Sequence, residues 1–299
     1  MSQFRVPALL VSLAVLWGLS FPAISVGLET LPPLLFAAFR YDVAAVLLVG
    51  YAVVTTDTWW PSGRDNVAAI VAGGLFLVAG NGLLFIGQQT VPSGVAAILQ
   101  ALVPIITALF ALALLGERLS AVGALGVAVG FVGIGLIVQP DPGNLLGGDT
   151  VGRLIVLGQV VSVSIGGVLI QRVQPSMERI AMTGWAMLLG SVVLHLLSLA
   201  RGERLTIAGG DPLTLAMIAY LGVFSTAIAF IIYFTILSER GAFETSLVTY
   251  LVPIVATIAG VFLLGESIGV LAVSGFVVVF IGFALLKRHA IADVVAVAG

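Results

Sequence analysis

The chain has 299 residues, of which 60% are hydrophobic and 9% charged, and its mean hydropathy is +1.22. Soluble domains carry about 25% charged residues, so a soluble enzyme or nucleic-acid-binding module is excluded: too few polar groups remain to cover a water-exposed surface. A net charge of −2 without a basic cluster leaves nucleic acid without an electrostatic footprint, and the absence of cysteine removes disulfides, thiolate metal ligands and cysteine nucleophiles.

A membrane helix needs about 20 consecutive apolar residues. The first span, 6–27, lies in a run of 23 charge-free residues from Val6 to Leu28. That run is longer than the core of a cleaved leader, so the span is expected to be retained. The second, 33–55, is apolar but carries Arg40 and Asp42. The third and fourth, 67–88 and 92–115, share the 51 charge-free residues Asn66–Gly116 and turn at Gln88-Gln89-Thr90-Val91-Pro92. The fifth is 119–138. After a linker at 141–152 carrying Asp141-Pro142-Gly143-Asn144 come 153–172, 179–200, 212–236, 242–264 and 268–287, and then a tail, 289–299. Continuous rather than alternating apolarity excludes a β-barrel.

Basic residues set the expected orientation. Arg5, Arg64, Arg118, Arg172, Arg179, Arg240, Lys287 and Arg288 fall on the side of the termini, and Arg153, Arg201 and Arg204 on the other. Eight against three places both termini in the cytoplasm, with the chain in the cell membrane.

The two halves repeat. Leu102-Val103-Pro104-Ile105 recurs as Leu251-Val252-Pro253-Ile254, and Leu114-Leu115-Gly116-Glu117 as Leu263-Leu264-Gly265-Glu266, both at an offset of 149 residues. At the same offset Gly126, Phe131, Gly133 and Leu136 meet Gly275, Phe280, Gly282 and Leu285. Residues 1–140 and 153–288 are thus two five-helix units. Five is odd, so the second unit enters the membrane from the opposite side. The expected fold is an all-α integral membrane protein of ten transmembrane helices in two inverted five-helix repeats. Secondary transporters use this architecture, with substrate at the midplane between the halves.

Several residues carry a resemblance: Trp17-Gly18 and Phe21 in span 1, Pro33 and Arg40 in span 2, Ser93-Gly94-Val95-Ala96-Ala97-Ile98 leading to Pro104, and Leu115-Gly116-Glu117-Arg118-Leu119, with Pro253 and Gly265-Glu266 repeating the pattern. On these residues the chain resembles the drug/metabolite transporter superfamily, in its EamA-type branch, over about 5–288. The second hairpin departs from the first in reading Gly265-Glu266-Ser267-Ile268, without the basic residue. The resemblance implies transport of amino acids, other metabolites or drugs, with export favoured, and leaves the substrate open.

An ionisable residue inside a span is costly and is a functional candidate by default. Arg40 lies roughly 10 Å from the outer end of its helix at 1.5 Å per residue. It could bind a carboxylate bidentately or hold helix ends together. Asp42, two residues on, faces elsewhere; it and Glu244 are the embedded carboxylates available for proton coupling, with pairing or helix-start roles as the plainer readings. Asn81 and Gln100 fall at a depth of about 10–12 Å by the same rise, level with Arg40, and Gln88 shares a face with Asn81. Trp17 lies nearer the middle. The repeat maps Gln100 onto Thr249, beside Tyr250. Gln159, Ser162, Trp185, Ser225, Thr226 and Tyr233 are weaker candidates for the same chamber. Pro104 and Pro253, at equivalent points, are candidate gating kinks. Glu117 and Glu266 read as carboxylates at the starts of spans 5 and 10. Gly126 and Gly130 form a GxxxG pattern that suits packing in the bundle or a homodimer.

The function expected is a secondary transporter of small organic solutes working by alternating access. A passive channel or facilitator with the same bundle is the alternative. No catalytic residues, metal ligands or cofactors are expected: only His195 and His289 are histidines, and neither GxSxG, HExxH nor a P-loop occurs. A lone lysine at a membrane edge, Lys287, leaves no site for a buried Schiff base. The expected partners are a small-molecule substrate and the lipid bilayer.

Overall fold

The computed structural model describes residues 5–117, 120–139, 148–204 and 211–288. Arg118, the Asp141–Asn144 stretch of the linker, His289 and the tail 289–299 lie outside them. The described residues form ten apolar helices: α1 (Arg5–Gly27), α2 (Pro33–Thr55), α3 (Arg64–Gly87), α4 (Ser93–Leu115), α5 (Ala121–Val138), α6 (Asp149–Val173), α7 (Arg179–Ala200), α8 (Pro212–Gly241), α9 (Glu244–Leu264) and α10 (Val270–Leu286). The first nine are each long and apolar enough to cross a membrane, and α10, with 17 residues, is slightly shorter. The sixth helix begins at Asp149, four residues before the expected start. Asp149 suits the positive end of a helix, and it pairs one turn on with Arg153 at 2.6 Å.

Helix starts are fixed by polar side chains at the ends of apolar runs. Ser120 accepts from the Gly123 N–H at 3.1 Å, and Glu178 from the N–H groups of Ile180 and Ala181 at 2.6 and 3.1 Å. Asp211 accepts from the Thr214 N–H at 3.0 Å. The hydroxyl and N–H of Thr214 hold the Asp211 carboxyl below its usual range. The matching helices α4 and α9 end on glycines in the left-handed region, Gly116 at φ 69° and Gly265 at φ 66°, where other residues are strained.

Repeat mates pack on one another. On α5 and α10, a Cβ at Gly126 would lie 2.5 Å from the Gly282 carbonyl oxygen, and one at Gly133 would lie 2.9 Å from that of Gly275. From the first contact to the second, residue numbers rise along α5 and fall along α10, so the two helices run antiparallel. The same holds for α2 and α7, where Asp42 meets His195 and Leu48 and Val49 meet Gly184. The GxxxG pair is used inside the chain: Gly126 meets α10 and Gly130 meets Ile105 of α4. Outward-facing apolar side chains such as Phe262 and Val270, about four-fifths exposed, form the surface a bilayer would cover.

The helices depart from regularity at related places. α3 is π-helical over Gly73–Val78 and α8 over Tyr220–Ile228, which coincide at the repeat offset to within a turn. Such segments occur often at functional sites. The two prolines differ. α4 is interrupted at Ala101–Leu102, just before Pro104, whereas α9 continues through Pro253. Each half is nevertheless interrupted beside the expected residue, α4 next to Gln100 and α9 at Leu247, two residues before Thr249, though the two breaks do not fall at equivalent positions.

The backbone contact between α5 and α10 predicts a sharp contrast. Gly126→Leu destabilises the purified protein in detergent, by about 1–3 kcal/mol as for other overpacked sites. Gly135→Ala, where a Cβ meets nothing within 4 Å, is neutral or slightly stabilising. Thermal unfolding checks this, and equal melting temperatures for the two variants contradict it.

Candidate functional site

Arg40 is 7% exposed on α2. Its Nε donates to Thr226 Oγ1 at 2.8 Å, and its guanidinium carbon lies 5.3 Å from the Tyr41 ring centroid. Thr226 in turn donates to the Leu221 carbonyl at 2.6 Å. That carbonyl is five residues back, reached within the wide turn of the π segment. Gly222 lets α8 come this close, since a Cβ there would sit 2.6 Å from that of Val43 and 3.1 Å from the Arg40 carbonyl oxygen. Among the described residues no carboxylate pairs with Arg40, and its terminal nitrogens make no hydrogen bond to a described residue.

A chain of side-chain amides runs from the other helices to Tyr41. Gln100 Nε2 (α4) donates to Gln159 Oε1 (α6) at 2.7 Å, and Gln159 Nε2 donates to Asn81 Oδ1 (α3) at 3.2 Å. Asn81 Nδ2 donates to the Tyr41 hydroxyl (α2). Donors and acceptors alternate along the chain, so Gln159 and Asn81 are each engaged on both sides, and Gln100 on one. The structure therefore links Asn81, Gln100 and Gln159 and ends their chain on Tyr41, whose ring centroid lies 5.3 Å from the Arg40 guanidinium carbon. Tyr41 and Thr226 complete the group; the first was missed and the second only weakly indicated. Tyr41 sits beside Arg40 in sequence, but nothing in an isolated tyrosine marks it as the end of an amide chain.

An aromatic group stands between α1 and α8. The Trp17 ring centroid lies 5.9 Å from Phe230 and 5.6 Å from Tyr233. The Tyr220 hydroxyl ties the same helices together by donating to the Leu16 carbonyl at 3.0 Å.

Other candidates lie elsewhere. Gln88 is buried against α1, donating to the Phe21 carbonyl at 3.1 Å and Ser25 Oγ at 3.4 Å. Ser162 donates to the Phe76 carbonyl of the π segment in α3 at 2.8 Å. Trp185 belongs to a cluster with Trp59 and Trp60, donating its Nε1–H to the Trp59 carbonyl at 2.8 Å. Tyr250 packs on Phe280 and Phe283 of α10, with centroids 5.2 and 4.5 Å away. Thr249 is half-buried near the start of α9, and Ser225 is buried in the π segment of α8. Asp42 Oδ2 meets His195 Nε2 at 2.8 Å, a pair that joins α2 to α7. Glu244 lies 3.8 Å from Arg240 one turn earlier, at a helix end and not deep in a span.

Gln159 is the central link, with a partner on each side, and Gln100 is the terminal one. Gln159→Leu leaves Asn81 without its donor and Gln100 without its acceptor, at about 1–3 kcal/mol per unpaired buried group. Gln159→Leu is therefore expected to lower the melting temperature in detergent more than Gln100→Leu. The reverse order contradicts the chain of amides.

With this geometry in place, comparison with known proteins gives consistent findings. The model of the EamA-like transporter family matches residues 6–139 and again 150–288, one match for each five-helix unit. The chain is 30% identical over 260 residues to the "Uncharacterized inner membrane transporter YedA" of Escherichia coli strain K12, covering 87% of this chain and 83% of that protein. It is 27% identical over 273 residues to an "Uncharacterized transporter" of Archaeoglobus fulgidus, covering 91% and 95%. It is 25% identical over 300 residues to the "Uncharacterized transporter YvbV" of Bacillus subtilis, covering 99% and 95%. A solved crystal structure with 18% identity superposes at a TM-score of 0.66 over 97% of this chain and 98% of its own, which shows the fold. The chain is a multi-pass membrane protein that belongs to the EamA-like transporter family.

Proposed function

We propose that the protein is a secondary transporter of small organic solutes carrying a carboxylate, amino acids or related metabolites, and that it exports them by alternating access between two inverted halves. The observation that carries this reading is Arg40. A guanidinium placed inside an apolar helix costs about 2.5–3.5 kcal/mol. Here it is buried, held through Nε by Thr226, and without a paired carboxylate among the described residues. Its two terminal nitrogens form a fork that suits a carboxylate. In this reading the amides of Asn81, Gln100 and Gln159, joined to Tyr41 next to Arg40 in the chain, would supply polar contacts, and Trp17 with Tyr233 an apolar wall. The antiparallel course of α5 with α10 and of α2 with α7 supports inversion of the halves. The distribution of basic residues supports cytoplasmic termini. Export rests on the family resemblance alone. If transport is coupled to protons, Asp42 with His195, and then Glu244, are the first groups to test.

The test is a counterflow screen of amino acids and other small metabolites in proteoliposomes. A carrier accelerates labelled uptake when unlabelled solute is loaded inside, whereas a channel does not. For the solute identified, Arg40→Ala is expected to reduce uptake at least tenfold, equivalent to losing one hydrogen bond to a charged group, while the protein stays monodisperse. Arg40→Lys keeps the charge and loses the fork, and should fall between. Normal uptake by Arg40→Ala removes Arg40 from the binding site.

A further inference from the structure

Glu117 and Glu266 are repeat mates that stand in different environments. Both follow a left-handed glycine, and both donate their N–H to a carbonyl six residues back, Glu117 to Ala111 and Glu266 to Gly260. The local turn is the same in each half. The carboxylates are not. Glu266 leaves its own hairpin and reaches the start of α4 in the other half. Its Oε1 accepts from the Ser93 N–H at 2.9 Å, and its Oε2 from Ser93 Oγ at 2.7 Å and the Gly94 N–H at 3.4 Å. The expected helix-start role is thus corrected: the carboxylate serves α4, not α10. The Glu117 side chain is exposed. Beside it, on the face that carries the termini, lies a cleft of about 370 Å³ lined by Leu114, Leu115, Gln171 and Arg172.

Two further contacts close the face around Glu266. A Cβ at Gly94 would strike Ile268 at 2.3 Å and Thr257 at 3.0 Å, and one at Gly260 would strike the Glu266 carboxylate itself. Glu203, also from the second half, accepts from the Leu35 N–H at the start of α2 at 2.9 Å. On this face, second-half carboxylates hold first-half helix starts.

We infer that Glu266 is a latch between the two halves, closing the face opposite the termini, and that it must release Ser93 and Gly94 for that face to open. Its repeat mate Glu117, on the opposite face, is exposed. The inference rests on the alternating-access reading of the preceding section. The donors are two backbone N–H groups and one hydroxyl, each giving a hydrogen bond to a charged acceptor, and losing one such bond shifts a two-state equilibrium by about tenfold or more. The latch therefore weights the population toward closure of this face.

The absence of native cysteines makes the test direct. Thr257→Cys places one thiol on α9 a turn inside Gly260, beneath the latch. A membrane-impermeant maleimide is applied to vesicles from the face opposite the termini, and separately the release of entrapped chloride is recorded. With Glu266 intact, labelling of Thr257→Cys is expected to be slow and the vesicles tight. Adding Glu266→Ala should raise labelling from that face about tenfold; adding Ser93→Ala, which removes only the hydroxyl, should raise it less; adding Glu117→Ala should not raise it. Tight vesicles with labelling unchanged by both Glu266→Ala and Ser93→Ala overturn the latch and leave the transporter reading standing. Chloride release with Glu266 intact overturns alternating access, and the latch with it.

Discussion

A polar group carried into an apolar bundle has to find its partner on another helix, because lipid offers none. That requirement organises the centre of this protein. The Arg40 guanidinium, the Tyr41 hydroxyl and the amides of Asn81, Gln159 and Gln100 sit on α2, α3, α6 and α4, and each is answered from a different helix. Thr226 on α8 holds one edge of the guanidinium. The arrangement fixes five helices about one level while leaving the fork of Arg40 without a counterion from the described residues. A group so placed is structurally expensive unless something comes to it, and the proposal of a carboxylate-bearing solute rests on that cost.

The frame around that site depends on glycine in a second way. Helices that associate in lipid gain little from hydrophobicity and much from close contact. Along α5 and α10 the carbonyls of Gly282 and Gly275 lie where a Cβ of Gly126 or Gly133 would be. Gly126 and Gly275 are repeat mates, as are Gly133 and Gly282, so the two contacts exchange under the repeat. An antiparallel pair related in this way implies an axis across the helices. That geometry is what two inverted units would produce, and it makes their two ends comparable, carboxylate against carboxylate and proline against proline.

Much of this was legible from residues alone. Charge-free runs marked every helix but the second, which is apolar around Arg40 and Asp42, since ionisable groups are too costly to scatter through a membrane span. The Pro and Gly-Glu pairs at one offset exposed the repeat. A rise of 1.5 Å per residue put Asn81 and Gln100 level with Arg40, and the structure links the two amides through Gln159 and carries the chain to Tyr41, next to Arg40. Other features left no trace of that kind. The π segments of α3 and α8 have no composition signature, yet they set the reach of Thr226 to Leu221. Asp42 and His195 were each visible, but their pairing spans 153 residues. Glu266 shows the limit most clearly. Its sequence matches Glu117, and only the packing of the halves decides that one carboxylate crosses to α4 while the other stays exposed. Gln88 and Tyr250 had suitable depth and chemistry, but rotation about their helices turns them to α1 and α10.

The claim on which the transport reading stands is that the two five-helix units lie upside down relative to one another in the bilayer. Single thiols introduced as Glu117→Cys and Ser267→Cys, both exposed positions on equivalent hairpins, report it when an impermeant reagent is applied to sealed right-side-out and inverted vesicles. The account predicts that the first is labelled only in inverted vesicles and the second only in right-side-out ones. Labelling of both thiols from one and the same side would contradict it.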